Sequence, residues 1–128
     1  MREATRNLIL LVEDDPSIRS DLSILLEMEG FEVYSAENGE VAVGVLNSAA
    51  KTPSLIILDI MMPVMDGWQF RDAQLKIESA ATIPLVVMTA DGHAAEKAMK
   101  MNAQGFIQKP IHSIDSFLET VNRFSSPG

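Results

Sequence analysis

The sequence predicts an α/β fold: a doubly wound, five-stranded parallel sheet in the order 2-1-3-4-5, with helices on both faces. Five short apolar runs alternate along the chain with segments in which apolar residues recur at helical spacing. Most of the runs are apolar at every position, which is typical of parallel strands buried on both faces. The first run is among the most apolar, so we expect it near the centre of the sheet. This position favours the order 2-1-3-4-5 over a Rossmann-type order.

Each predicted strand is a run of four or five residues. The five runs are 8–12 (LILLV), 31–35 (FEVYS), 55–58 (LIIL), 84–88 (PLVVM) and 105–108 (GFIQ). Right-handed crossovers between parallel strands leave few possible topologies. In the favoured order the switch point lies between the first and third strands, and open α/β sheets bind ligands outside the carboxyl ends of the strands at that point.

The segments between the strands carry helix signals. Asp15 and Pro16 are suited to an N-cap and a first helical position, Gly30 to the end of the first helix, and Asn38 to the N-cap of the second. The third helix is predicted over Gly67 to about Ser79, and a short, alanine-rich fourth helix over Ala94 to Met101. The predicted apolar faces are Ile18, Leu22, Leu25 and Leu26; Val41, Val45 and Leu46; Phe70, Ala73 and Ile77; and Ile114, Phe117, Leu118, Val121 and Phe124.

Composition limits the function classes. The 128 residues suit one domain, 1–128, with a core over about residues 7–124. The absence of cysteine excludes disulfides, thiolate metal sites and a thiol nucleophile. No apolar run approaches the ~18–20 residues that span a bilayer, and no secretory signal is visible, so we expect a cytoplasmic protein without membrane contact. The net charge of −8 disfavours direct binding of nucleic acid.

Acidic residues follow two of the predicted strands. Glu13, Asp14 and Asp15 come directly after the first strand, and Asp59 comes directly after the third. Because Asp15 is suited to cap the following helix, we expect Glu13, Asp14 and Asp59 to meet at the switch point. Their mutual repulsion can be relieved by protonation or by a hard divalent cation such as Mg²⁺. The alternative is a solvated rim of carboxylates that binds no ion.

Two further polar residues end the remaining strands. Thr89 follows the fourth strand, and Lys109 follows the fifth. Together with the acids, a hydroxyl and an ammonium at one sheet edge are suited to bind a phosphoryl group, and a carboxylate can act as its acceptor. Taken singly, each residue is more typical of a backbone cap or a solvated loop.

The sequence gives less support to enzymes that share part of this arrangement of strands and polar residues. Glycine-rich nucleotide-binding motifs are absent. An FMN-binding flavodoxin shares the architecture, but the loop after the first strand carries acids here, which have the wrong charge for a phosphate. An aspartate-based phosphatase would need a second acid shortly after its nucleophile, and Ile60 and Met61 follow Asp59 instead. The sequence therefore gives little support to these enzyme classes.

Four segments, LILLVEDDPSIR, LIILDIMMPVMDGW, PLVVMTA and GFIQKPI, occur in order along the chain. In these segments the sequence resembles the receiver domain of two-component response regulators, over essentially its whole length. The resemblance implies that Asp59 accepts a phosphoryl group from a phosphohistidine of a sensor histidine kinase or histidine phosphotransfer protein. It also implies an Mg²⁺ ion held by Glu13, Asp14, Asp59 and the backbone carbonyl of Met61.

The resemblance further implies a switch. Thr89 would be the switch hydroxyl, Lys109 the partner of the phosphoryl group, and Phe106 the switch aromatic, in place of the more usual tyrosine; the Lys109–Pro110 bond would be cis. Phosphorylation would remodel the surface of helix four, strand five and helix five, which a partner protein or an output domain reads. The resemblance thus implies a signalling domain and not a conventional enzyme, one that would promote its own phosphoryl transfer and autodephosphorylation.

Alternatives remain for the output. The chain could be a receiver-like scaffold that binds proteins independently of phosphorylation, and a phosphorylation-induced homodimer is also possible. The initiator Met1 and the short tail after the last helix favour a stand-alone regulator over a receiver excised from a longer protein.

Overall fold

The computed structural model describes residues 7–62 and 64–125. Five parallel strands form one sheet in the order β2-β1-β3-β4-β5, which confirms the predicted fold class. The strands are β1 (Leu8–Val12), β2 (Glu32–Ala36), β3 (Leu55–Asp59), β4 (Leu85–Thr89) and β5 (Gly105–Gln108). The helices are α1 (Pro16–Met28), α2 (Gly39–Ser48), α3 (Gly67–Lys76), α4 (Ala94–Lys100) and α5 (Ile114–Ser125). Met1, Pro63 and the terminal residues 126–128 lie outside the described residues.

The sheet separates two apolar clusters. Successive side chains of a strand point to opposite faces, so Leu10 packs on one face of β1 and Leu11 on the other. Helices α2, α3 and α4 cover the first face with Leu46, Phe70 and Ala98, among others. Helices α1 and α5 cover the second face with Leu26, Phe117 and their neighbours. Every residue of β1, β3 and β4 is buried, which explains why those sequences are apolar runs without alternation.

Local capping signals predict the helix starts correctly. The Asp15 carboxylate accepts hydrogen bonds from the backbone N–H groups of Ser17 and Ile18, at 2.9 and 3.1 Å. The Asn38 side chain accepts one from Val41 at 2.9 Å. At α3, Asp66 and Gln69 form a reciprocal capping box, with both bonds at 2.9 Å. Within the described ranges, no helix is both long and apolar enough to cross a bilayer.

The predicted face of α2 was partly wrong. Val41 is exposed, and the buried positions are Gly39, Ala42 and Leu46. The first turn of α2 packs closely against Met65: a Cβ built on Gly39 would lie only 2.8 Å from Met65 Cγ. A residue without a side chain fits at this inner position, and Val41 lies on the outer side of the helix. The strand β2 also begins one residue later than predicted.

The prediction for α3 needs a larger correction. The helix ends at Lys76 and not near Ser79, and Ala73 and Ile77 are only partly buried. The buried polar residues on its inner face are Arg71 and Gln74. Hydrogen bonds explain their burial: Arg71 donates to the backbone carbonyls of Met101 and Asn102, at 2.9 and 2.7 Å, and to the Gln74 side chain at 2.8 Å.

Candidate functional site

The sheet places two acidic residues side by side. Val12 lies opposite Leu58 in the pairing of β1 with β3, so Glu13 and Asp59, the next residue of each chain segment, emerge at the same edge. Carboxylate oxygens of Glu13, Asp14 and Asp59 all lie within 4.8 Å of one another. The convergence that the sequence analysis expected at the switch point is therefore present in the structure.

Lys109 enters the same site from the end of β5. Its Nζ lies 3.0 Å from Glu13 Oε1 and 3.4 Å from Asp59 Oδ2, and the side chain is only 15% exposed. The backbone holds the lysine in register, since Lys109 N–H donates to the Thr89 carbonyl at 2.9 Å. One ammonium thus bridges two carboxylates that would otherwise repel each other.

The second oxygens of these two carboxylates accept backbone hydrogen bonds. Glu13 Oε2 accepts from the Asp15 N–H at 3.0 Å, and Asp59 Oδ1 accepts from the Met61 N–H at 3.3 Å. Glu13 is fully buried and Asp59 is 3% exposed, whereas Asp14 is partly exposed. The site therefore has two buried carboxylates and one that is more accessible.

Burial and charge shift the titration of the site. Desolvation by burial, followed by repulsion from Glu13, raises the pKa of Asp59 to about 7, although Lys109 opposes the shift. Burial lowers the pKa of Lys109, but its bonds to Glu13 and its attraction to Asp59 outweigh that effect and leave the pKa raised. At neutral pH the structure thus keeps the lysine charged and holds Asp59 close to its titration midpoint.

The donor set fits a hard divalent cation. It consists only of carboxylate oxygens, which Mg²⁺ prefers, and Lys109 pairs with two of the three carboxylates. Glu13, Asp14 and Asp59 could hold such an ion. They line an open crevice of about 380 Å³, in which a further ligand has room.

Thr89 lines the crevice, and Phe106 lies on the neighbouring strand. Thr89 ends β4 and is fully buried, and its Oγ1 accepts a long hydrogen bond, 3.5 Å, from the Asp91 N–H. Phe106 lies in β5 opposite Val87, and its side chain is 46% exposed. The Lys109–Pro110 peptide bond is cis. The roles expected of Thr89, Phe106, Lys109 and the Met61 carbonyl stay predictions.

Residues 9–122 match the family model of the response regulator receiver domain. The chain belongs to this family. The transcriptional regulator ycf27 of Cyanophora paradoxa is 36% identical over 111 residues, which cover 85% of this chain and 44% of that protein. The chain thus spans about half the length of this and other curated regulators that it matches.

Solved receiver structures share the fold over nearly the whole chain. The chemotaxis protein CheY4 of Vibrio cholerae is 29% identical, with a TM-score of 0.84 over 94% of this chain and 99% of that one. The response regulator TrrA of Thermotoga maritima, solved in complex with Mg²⁺ and BeF, is also 29% identical. It has a TM-score of 0.78 over 92% of this chain and 98% of that one.

Two contacts of this receiver domain were missed by the sequence analysis. Arg19 Nη1 donates to the backbone carbonyls of Glu13 and Asp14, at 2.8 and 3.3 Å. Asp91 lines the crevice and forms an ion pair with Lys97 of α4. The position of Arg19 in the first turn of a helix that follows an acidic loop is a signal, but arginine is so frequent on exposed helix faces that the signal is weak.

Proposed function

We propose that this receiver domain is a phosphorylation-dependent signalling switch, in which Asp59 accepts a phosphoryl group from a phosphohistidine in a Mg²⁺-dependent reaction. The donor is a sensor histidine kinase or a histidine phosphotransfer protein. One observation carries the proposal: a buried carboxylate lies within 3.4 Å of a charged lysine and within 4.8 Å of two further acids, at the open end of a parallel sheet.

The transfer replaces one bond to phosphorus with another. An oxygen of ionised Asp59 attacks the phosphorus, the phosphorus–nitrogen bond of the donor breaks, and the imidazole leaves with the electron pair. Phosphoryl transfer depends on positioning and on neutralising charge. Lys109 is placed for both tasks, because its ammonium already contacts Asp59 and can move to an oxygen of the incoming group.

Glu13, Asp14, Asp59 and the Met61 carbonyl are the proposed ligands of Mg²⁺. When bound, the ion supplies positive charge that neutralises the carboxylates and phosphoryl oxygens. The donor chemistry of the crevice supports this assignment, and the relative TrrA was solved with Mg²⁺ and BeF.

The signal is proposed to leave the site through Thr89 and Phe106. The aspartyl phosphate adds about two negative charges and three acceptor oxygens. The Thr89 hydroxyl, which now accepts only a long bond, would donate to one of these oxygens, and the half-exposed Phe106 would turn inward. The surface of α4, β5 and α5 would then change for a partner protein or an output domain.

The test uses beryllofluoride and acetyl phosphate with Mg²⁺. With acetyl phosphate, we expect the wild-type protein to gain the mass of one phosphoryl group. With either reagent, we expect a change in the fluorescence of Trp68, which follows the β3–α3 loop and is partly exposed. Asp59→Asn should abolish both signals, and Asp72→Asn, an exposed acid on α3, should abolish neither. Size-exclusion chromatography of the product reports any induced homodimer.

The same experiment separates the rival function. A scaffold that binds proteins independently of phosphorylation needs no Mg²⁺ affinity and no reactive Asp59. Uptake of a phosphoryl group by Asp59→Asn, or no uptake by the wild type, would overturn the switch proposal.

A further inference from the structure

Arg19 reaches from α1 back to the loop that carries two acids of the site. Its Nη1 donates to the Glu13 carbonyl at 2.8 Å and to the Asp14 carbonyl at 3.3 Å. These carbonyls belong to the two peptide groups on either side of the Asp14 Cα. A single guanidinium nitrogen therefore restrains both peptide planes next to this residue, and with them the direction of its Cα–Cβ bond.

The three carboxylates of the site are held in different ways. Glu13 and Asp59 are held through their carboxylate oxygens, by Lys109 and by backbone N–H groups. Asp14 is the most accessible of the three acids, and Arg19 acts on it through the backbone. The Glu13 N–H also donates to the Ala36 carbonyl at 3.0 Å, so the start of the loop is fixed from the β2 side as well.

We propose that Arg19 is a positioning residue for the metal site: it holds the Glu13–Asp14 backbone so that the Asp14 carboxylate faces the crevice and is ready for Mg²⁺. The inference rests on the proposed function, because it concerns the same site. It adds a residue that contacts neither the ion nor the phosphoryl group and acts through the orientation of a ligand.

If Arg19 acts through its charge, its removal should change the Mg²⁺ affinity in the opposite direction from the change expected if it acts by positioning Asp14. A guanidinium close to a cation site repels the cation, so an arginine that acted only by its charge would weaken Mg²⁺ binding. Its removal would then tighten binding. If Arg19 positions Asp14, its removal weakens binding in spite of the relieved repulsion.

The experiment measures Mg²⁺ affinity by calorimetry for the wild type, Arg19→Met, Arg19→Lys and a control, Arg123→Met. Arg19→Met removes both hydrogen bonds and the charge, and we expect it to weaken Mg²⁺ binding by about tenfold. Arg19→Lys keeps the charge but loses the planar guanidinium, so it should weaken binding by a smaller factor. Arg123 is exposed near the end of α5, and its removal changes the net charge equally without touching the loop.

Two further readouts separate positioning from general damage. Urea unfolding in the presence of a chelator should show all variants folded, so that affinities compare intact proteins. The initial rate of labelling by acetyl phosphate should fall for Arg19→Met at low Mg²⁺ and return towards the wild-type rate at saturating Mg²⁺, because the metal-loaded site is intact.

Wild-type affinity or tighter binding in Arg19→Met would overturn the inference. If that variant does not fold, Arg19→Lys decides, and an unchanged Mg²⁺ affinity in it would overturn the inference equally. Failure of the wild type to bind Mg²⁺ or to accept a phosphoryl group would instead overturn the proposed function. The Arg19 variants therefore test the inference, and the wild-type protein tests the proposed function.

Discussion

The ammonium of Lys109 lies 3.4 Å from a carboxylate oxygen of Asp59, although 50 residues separate the two in the chain. The same ammonium contacts Glu13 at 3.0 Å. The site contains three carboxylates, of which Lys109 pairs with two, so the pocket retains excess negative charge when no cation is bound. Desolvation by burial, followed by repulsion from Glu13, raises the pKa of Asp59, so its ionised form makes a destabilising contribution that experiments can isolate.

Asp59→Asn should stabilise the metal-free protein more at pH 8 than at pH 5. The pKa of Asp59 is raised from 3.8 to about 7 by folding, so the folded state binds more protons between these values and wild-type stability falls as pH rises towards 7. The asparagine side chain does not ionise, so this pH dependence is absent from the variant. We expect the stability difference between variant and wild type to grow by about 1–3 kcal/mol from pH 5 to pH 8, measured by urea unfolding with a chelator.

Asp72→Asn serves as the control for this titration, because Asp72 is an exposed acid on the next helix. Its stability difference from the wild type should be nearly the same at both pH values. An Asp59→Asn difference that also stayed constant would contradict a raised Asp59 pKa.

Mg²⁺ affinity should depend on pH through the same carboxyl group. A bound cation needs Asp59 ionised, so protons compete with it below the pKa of about 7. We expect the apparent affinity to fall about tenfold per pH unit below pH 7 and to level off above it. Calorimetry in buffers of different ionisation enthalpy should also detect proton release at pH 6. An Mg²⁺ affinity that stayed constant from pH 5.5 to 8 would contradict competition between protons and Mg²⁺ at Asp59.

Thr89→Ala should separate labelling from the surface change. The hydroxyl is buried at the end of β4, and in the proposed transfer it does not attack the phosphorus. We therefore expect acetyl phosphate to label the variant, while amide hydrogen exchange in α4, β5 and α5 no longer changes on activation. Thr89→Ser keeps the hydroxyl and should restore the change. A wild-type exchange response in Thr89→Ala would remove Thr89 from the switch.

Arg71→Met should destabilise the fold by about 2–4 kcal/mol. Arg71 is only 7% exposed, and loss of its guanidinium removes the donor to the Met101 and Asn102 carbonyls and to the side-chain oxygen of Gln74. Urea unfolding measures the loss, with Lys76→Met as an exposed control on the same helix. Unchanged stability would mean that water replaces the guanidinium without cost.

Gly67→Ala should damage the loop next to the acceptor residue. A Cβ at this position would lie 2.7 Å from the Ile60 Cα, where only backbone could move to relieve it. We expect a loss of about 1–3 kcal/mol in unfolding free energy and slower phosphoryl labelling, since Ile60 follows Asp59 directly. Gly44→Ala is the control: its Cβ meets nothing within 4 Å, and it should stabilise α2 by about 0.5–1 kcal/mol. Equal stability of the two variants would contradict the close approach of Gly67 to the Ile60 backbone.

Several features of this receiver domain follow from short stretches of sequence. The apolar runs specify buried parallel strands, and Asp15 and Asn38 specify helix starts through bonds to residues two or three positions away. The meeting of Glu13 and Asp59 also follows, because parallel strands end at the same edge and the strand order makes β1 and β3 neighbours. Each of these inferences needs only a local signal and a topology rule.

The tertiary structure alone decided the rest. Arg71 bonds to carbonyls 30 and 31 residues away, and Arg19 bonds to carbonyls whose orientation depends on how the β1–α1 loop turns. Backbone carbonyls are present at every residue, so bonds to them leave no pattern in the side-chain sequence. The raised pKa of Asp59 likewise depends on burial and on charged groups from two other segments of the chain. The sequence determined which groups reach the site, and packing determined how far each is desolvated and held.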